Sequence, residues 1–120
     1  MTSSQYSQVW DLLDGVITEK EVSPATFGLQ PNSILSVRGG TPEENAATLM
    51  ALLDGQLPLD HPVENFVAAN CGALLFLSGL AKDPIDGVRL ARESIKSGNA
   101  LGALHKFRTA SQAGATKTAQ

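Results

Sequence analysis

A long apolar stretch in the middle of the chain limits its possible folds more than any other feature. Between Phe66 and Ala81, Asn70 is the only strongly polar side chain, and Ser78 is mildly polar. Apolar residues cover every side of a helix here, and such a helix is buried in a protein core or in a membrane. The run is shorter than the roughly 20 residues that a bilayer requires. The sequence therefore predicts a central core helix over 63–82 and no membrane partner.

The charge and cysteine content narrow the class of protein further. The 120 residues carry 12 acidic and 9 scattered basic side chains, a net charge of −3, which argues against a nucleic-acid partner. One cysteine, Cys71, cannot form an internal disulfide, and we expect a small buried thiol. No secretory signal is visible at the N-terminus, so a reducing, cytoplasmic location is favoured.

A β-hairpin is predicted near the N-terminus. Residues 8–13 have strand character, Asp14-Gly15 is a strong hairpin turn signal, and residues 16–22 form the second strand. Pro24 ends that strand, and the apolar residues of 27–29 are expected to dock on the core. Because an isolated hairpin is marginal in water, these strands should join a larger sheet or pack on helices.

Four helices should follow the hairpin. Thr41, Pro42 and Glu44 form a cap, a first-turn proline and a capping box, and Asp83-Pro84 starts a later helix in the same way. The central helix lies between these two, and a last helix begins near Asn99. Residues 111–120 are predicted to be a disordered tail. A hairpin followed by about four helices indicates an α/β or an α+β arrangement, and two strands cannot form such a layer alone.

One candidate anion site occurs at Arg38-Gly39-Gly40-Thr41, where a glycine pair leads into a helix N-terminus. Pro42 removes one backbone donor, and the next two residues are acidic, so the favoured interpretation is a helix start that binds no anion. The glycine patterns of nucleotide-binding loops are absent.

The remaining candidates are also explained without chemistry. His61 and His105 have no neighbouring ligand at metal spacing, and Ser78 has no adjacent base. The basic side chains of residues 89, 92 and 96 are interpreted as a solvated helix side. Asn70 should find a hydrogen-bond partner and serve packing specificity. No catalytic, cofactor-binding or metal-binding residue is therefore predicted in this chain.

The order of the motifs nevertheless resembles a known family. The motifs that carry the resemblance are the strand and turn VWDLLDGV (residues 9–16), SPATFGL (23–29), RGGTPEENA (38–46), the Asn70-containing apolar helix, and DGVRLARESIKSGNAL (86–101). Over residues 8–107 they resemble the C-terminal third of the anthranilate phosphoribosyltransferases, a family of glycosyltransferase family 3.

The resemblance implies a function for the complete enzyme and a structural role for this chain. Such enzymes transfer phosphoribose from phosphoribosyl pyrophosphate to anthranilate with magnesium, in tryptophan biosynthesis. They pair a small helical domain, which forms homodimers, with a larger α/β domain. The resemblance therefore implies the fold class α/β, with residues 1–120 as a single partial domain, the C-terminal piece of that larger domain. Their pyrophosphate loop and metal carboxylates have no counterpart here, so no cofactor is expected in this chain and the chain alone is expected to be inactive. Its expected partner is the missing N-terminal part.

Two alternatives remain open at this point. The chain could be a piece of a related pyrimidine-nucleoside phosphorylase. It could also be a free-standing helical module that binds a partner protein through exposed apolar surface.

Overall fold

The computed structural model describes residues 6–118, and the side chains of 6–115. The predicted hairpin and four helices are confirmed. The elements are strands β1 (Ser7–Leu13) and β2 (Val16–Val22), two short 3₁₀ helices (Pro24–Phe27 and Ile34–Val37), and helices α1 (Pro42–Leu53), α2 (Pro62–Leu77), α3 (Pro84–Lys96) and α4 (Asn99–Thr118).

The hairpin is antiparallel and stands largely apart from the helices. Its register pairs Ser7 with Val22 and Leu13 with Val16, and the turn residues Asp14 and Gly15 have positive φ angles of 50° and 79°. Two positive φ angles in a two-residue loop match the twist of paired strands, which explains the Asp-Gly sequence. Within residues 6–118 these two strands are the whole sheet. The larger sheet that the hairpin needs is therefore not part of the described chain.

Helix α2 ends at Leu77, five residues before the predicted end. Ser78 is the C-cap, and Gly79 follows with a φ of 80°. The Gly79 N–H donates to the Phe76 carbonyl at 3.1 Å and the Leu80 N–H to the Leu75 carbonyl at 3.0 Å. This hydrogen-bond pair is the Schellman motif, in which glycine takes the left-handed conformation that stops a helix. The predicted range 63–82 is too long because Gly79, which lies within the apolar run, ends the helix.

Helices α2 and α3 pack backbone to backbone where two glycines cross. A Cβ atom added to Gly87 would lie 2.4 Å from the Gly72 carbonyl oxygen and 2.8 Å from the Gly72 Cα. Only glycine permits an approach this close. Ala68 and Val88 continue the contact and are 0% and 4% exposed, and Leu29 completes the small core. The predicted docking of residues 27–29 on the core is confirmed, with Pro24–Phe27 forming a 3₁₀ turn rather than a loop.

The opposite side of α2 is uncovered in this chain, which holds two strands of the larger sheet that the hairpin was expected to join. Phe66, Leu74 and Leu77 keep 56%, 68% and 62% of their surface exposed. The accessible surface of the chain is 8710 Å². A compact protein of this mass exposes roughly 6200 Å², so the excess is about 2500 Å². The apolar pattern demands more cover than α3 supplies.

Helix α4 runs through most of the stretch predicted as a disordered tail. It extends to Thr118, and residues 119–120 lie outside the described part of the chain. Alanine, glutamine and lysine are good helix formers, so a helix that starts at Asn99 propagates without a stop signal. Residues 111–118 contain no proline, and Gly114 lies within the helix and does not end it. Small polar residues alone therefore did not indicate disorder here.

Candidate functional site

The first candidate site is a cluster of charged and polar side chains around Arg92 at the α2–α3 contact. Arg92 Nε donates to Glu64 Oε1 at 2.7 Å, and its Nη2 donates to Glu64 Oε2 at 3.0 Å. Nη2 also donates to Asn65 Oδ1 at 2.9 Å and lies 3.4 Å from Asp60 Oδ1. A guanidinium that grips a carboxylate through two parallel hydrogen bonds is the strong form of this ion pair.

Burial makes this cluster different from a surface ion pair. The Glu64 side chain is 8% exposed and that of Arg92 is 28% exposed. The hydrogen bond to Glu64 is the main cause that raises the pKa of Arg92 above its ordinary value. Arg92 was predicted to lie on a solvated helix side, and that interpretation is wrong. Its partner Glu64 lies 28 residues upstream, so the sequence of α3 gave no sign of the pairing.

Arg89, one turn earlier on α3, behaves as predicted. It is solvated, and it pairs with Asp86 at 2.8 Å and with Glu93 at 3.0 Å on its own helix. The Lys82 N–H donates to Asp86 at 3.1 Å, and this bond together with Arg89 lowers the pKa of Asp86. These contacts fix the start of α3 rather than form a binding strip.

The glycine pair before α1 is closed by side chains of the helix itself. The Gly40 N–H donates to Asn45 Oδ1 at 2.9 Å, and the Thr41 N–H donates to Glu44 Oε2 at 2.9 Å. The Glu44 N–H in turn donates to Thr41 Oγ1 at 3.2 Å, which completes the capping box. These two amides already have acceptors, so the geometry supports the start of a helix and not an anion site.

The two histidines and the cysteine take local roles. His61 is the N-cap of α2, where its Nδ1 accepts from the Val63 N–H at 3.2 Å. Sequence reasoning missed this cap because histidine is uncommon there. His105 is exposed on α4. Cys71 is half-buried, and burial raises the pKa of its thiol above the ordinary value.

The second candidate site is the uncovered side of α2 and a cleft beside it. We call Phe66, Asn70, Leu74 and Leu77 the α2 stripe, since they follow one another at spacings of four, four and three residues on the side away from α3. A cleft of about 160 Å³ opens next to Phe66 and Asn70, bordered by Val22, Phe27 and Leu29. Asn70 Nδ2 donates to the Phe66 carbonyl at 2.8 Å, which supplies the predicted partner within its own helix.

The described residues also bear on membranes and metals. Over residues 6–118, no helix is both long enough and apolar enough to span a bilayer. In that same range no group of three or more histidine, cysteine or acidic side chains is placed to hold a metal ion.

The family is shown by comparison with known proteins. A profile described as "Glycosyl transferase family, a/b domain" matches residues 1–101. Anthranilate phosphoribosyltransferase of Schizosaccharomyces pombe is 41% identical over 88% of this chain, and that of Sinorhizobium medicae is 39% identical over 94%. The chain spans about a third of the length of these curated relatives, 30% and 33% respectively.

Solved structures agree with these relatives. Anthranilate phosphoribosyltransferase from Saccharomyces cerevisiae in complex with 4-fluoroanthranilate matches with a TM-score of 0.79 and 29% identity, over 86% of this chain and 30% of that one. A variant of the same yeast enzyme with Mg bound matches with a TM-score of 0.78 and 30% identity, over the same shares of the two chains. The chain therefore belongs to the glycosyl transferase family whose α/β domain this profile describes. Both the predicted family and the predicted partial extent are confirmed.

Four acidic side chains near the two clusters described above are engaged by protein donors and do not fit a magnesium site. Mg²⁺ binds carboxylate oxygens in octahedral geometry. The carboxylates of Glu64 and Asp60 face Arg92, that of Asp86 faces Arg89, and that of Glu44 accepts from a backbone amide. Each is already matched to a donor, and we derive no chemical step through magnesium from these residues.

Proposed function

We propose that this chain is the C-terminal part of the α/β domain of an anthranilate phosphoribosyltransferase. The complete enzyme would transfer phosphoribose from phosphoribosyl pyrophosphate to the amino group of anthranilate, a step of tryptophan biosynthesis. The observation that carries the proposal is the 41% identity to the fission yeast enzyme over 88% of the chain. The TM-score of 0.79 to the budding yeast enzyme supports it at the level of the fold.

In this proposal the chain is scaffold and not catalytic machinery. Residues 8–107 contribute the hairpin and the helices that pack against the sheet of a domain completed by the N-terminal part. The excess exposed surface of about 2500 Å² is of the size that a large protein interface buries. Two contacts hold α2 and α3 together as one unit: the ion pair of Arg92 with Glu64 and the close approach of Gly87 to Gly72. With α3 on one side, the α2 stripe on the other side would face the sheet.

The wider properties of the complete enzyme belong to the same proposal. Magnesium and both substrates would bind to the part that this chain lacks, and the enzyme would be a cytoplasmic homodimer associated through its helical domain. The Mg bound in the budding yeast variant supports the metal requirement. The single cysteine suits a reducing compartment.

A chimaeric enzyme tests the proposal. The segment of the fission yeast enzyme that matches this chain would be replaced by this chain, and anthranilate consumption would be followed by its fluorescence with phosphoribosyl pyrophosphate and magnesium. We expect the chimaera to turn over and the 120-residue chain alone to give no product above the blank. Product from the chain alone would refute the scaffold role.

The nucleoside phosphorylase alternative requires a measurement on a different preparation. The chimaera contains the catalytic part of a transferase, so specificity must be tested on the natural complete protein. Its activity with thymidine and phosphate, and none with anthranilate, would replace the proposed reaction with phosphorolysis. A folded chimaera that is inactive with anthranilate would show that this chain cannot stand in for the transferase segment.

A further inference from the structure

We propose that the N-terminal cap of α2 is sensitive to pH: it forms when the imidazole of His61 is neutral and is lost when the ring gains a proton. This inference goes beyond the proposed function and does not require phosphoribosyl transfer. It rests on which ring nitrogen accepts the capping hydrogen bond and on the charged groups around the ring. Because the first turn of α2 also contacts α3, a change at the cap affects the packing of the two helices.

The hydrogen bond at the start of α2 can form only with a neutral ring. His61 Nδ1 accepts from the Val63 N–H at 3.2 Å. A neutral imidazole has one acceptor nitrogen, whereas in a protonated ring both nitrogens are donors. Pro62 supplies no N–H, so Val63 carries the first amide of the helix that needs an acceptor. A proton on Nδ1 therefore places two donors against each other and breaks the cap.

The caps of α1 and α3 do not share this dependence on pH. The side chain of Thr41 caps α1 and that of Asp83 caps α3, and each accepts from a backbone amide of its helix. A hydroxyl oxygen keeps its lone pairs at any pH of this range, and an aspartate stays ionised well below neutral pH. Histidine is the side chain that ordinarily changes its charge between about pH 5 and 8. Of these three caps, that of α2 is the one that mild acid removes.

The charged groups around His61 offer the protonated ring no partner. Asp60 precedes it and Glu64 lies in the first turn of α2, but both carboxylates contact the Arg92 guanidinium, at 3.4 Å and 2.7 Å. The 3₁₀ helix that packs on α2 is followed by the exposed Arg38, which is a second cation. Among the described residues, no carboxylate forms an ion pair with His61. The partial positive charge at the N-terminus of a helix also disfavours an imidazolium.

Loss of the cap reaches the contact between α2 and α3. The side chains of Glu64 and Asn65 accept from Arg92 of α3, and the Asn65 N–H donates to the His61 carbonyl at 2.9 Å. The folded chain must give up the cap to bind the proton, whereas the unfolded chain has no such bond to lose. Stability therefore decreases as the pH falls through the range in which histidine gains its proton.

Urea unfolding of the purified chain tests the inference, followed by far-UV circular dichroism at constant protein concentration between about pH 8 and 5. Over this range the folding equilibrium constant of the wild-type chain should fall about fivefold more than that of His61→Asn, the factor for one lost helix cap. Asparagine accepts the same hydrogen bond throughout the range. His105→Asn is the matched control, because His105 is the second of the two histidines and is exposed on α4; it should keep the wild-type dependence. Parallel curves for the wild type and His61→Asn would overturn the inference.

A spectroscopic measurement observes the cap directly. The nitrogen chemical shifts of the His61 ring, assigned by comparison with the spectrum of His61→Asn, report which nitrogen carries the proton. At about pH 8 we expect a neutral ring with its proton on Nε2. On acidification the Val63 N–H should lose its protection from exchange with solvent in the wild-type chain and keep it in His61→Asn. A neutral ring protonated on Nδ1, or protection of the Val63 amide that does not change with pH, would show that His61 is not a pH-sensitive cap.

Discussion

Replacing Gly87 by alanine should destabilise the chain through the contact between α2 and α3. The new Cβ would lie 2.4 Å from the Gly72 carbonyl oxygen and 2.9 Å from the Gly72 carbonyl carbon. Relief requires the two helix backbones to separate by roughly 1 Å, since atoms in contact prefer about 3.5 Å or more. Overpacking of this kind costs about 1–3 kcal/mol, and the upper end applies because the displaced atoms are backbone.

The gain from helix propensity opposes this cost but does not cancel it. Alanine in a helix interior is favoured over glycine by about 0.5–1 kcal/mol. The net expectation is a loss of about 2 kcal/mol, seen as a lower urea midpoint with an unchanged slope. Protein concentration must be held constant across the series because association contributes to apparent stability.

Gly102→Ala is the matched control for this experiment. Gly102 lies in α4, where an added Cβ meets nothing within 4 Å. The same chemical change should therefore stabilise the chain by about 0.5–1 kcal/mol. If Gly87→Ala were as stable as Gly102→Ala, the crossing of the two helices would not be as close as described, and the reasoning would fail.

Further predictions concern the ion pair, the helix caps and the titrating groups. Arg92→Met should lower the unfolding free energy in urea by about 2 kcal/mol, because it leaves Glu64 without its partner. The loss should be smaller than the roughly 3–5 kcal/mol of a fully buried pair because the Arg92 side chain is 28% exposed. An unchanged midpoint would place the Glu64 carboxylate in water. Thr41→Ala should cost about 1 kcal/mol by removing the cap of α1, with Thr41→Ser as the conservative variant that restores it. Because the pKa of Asp86 is lowered on folding, its contribution is present above the unfolded carboxyl pKa and is lost as pH falls through the folded value, so Asp86→Asn should flatten the acid end of a stability–pH curve. Because the pKa of Cys71 is raised, its reaction with a thiol reagent should reach half-maximal rate at a higher pH than in the unfolded chain; a midpoint at or below the unfolded value would contradict its burial.

The sequence predicted the elements well wherever the signals were local. The Asp14-Gly15 turn, the capping box at Thr41 and the Asp83-Pro84 start each depend on neighbours within a few residues, and each lies where predicted. Turn and cap chemistry is decided by backbone donors and acceptors within one turn of the helix. These signals remain readable even in a chain that spans part of a domain.

The long-range features could not be read in the same way. The bond from Arg92 to Glu64 joins residues 28 positions apart, and the contact between Gly72 and Gly87 joins two helices. In the sequence, Arg92 and Arg89 look alike on one helix, yet one is paired across the helix contact and the other is solvated. Which of the two arginines is paired across the contact depends on the crossing geometry, and nothing in the local sequence marks Gly72 and Gly87 as the residues that meet there.

The uncovered side of α2 connects the apolar pattern of this helix to the proposed function. A helix that is apolar on every side is expected to be buried on every side. Helix α3 and the core residue Leu29 cover one side of α2. The exposed side chains of Phe66, Leu74 and Leu77 therefore mark a surface that packs against another part of the protein. In the proposed enzyme that surface is the sheet of the complete domain. A chain joined to the rest of its domain should therefore expose less of these three side chains than the chain by itself.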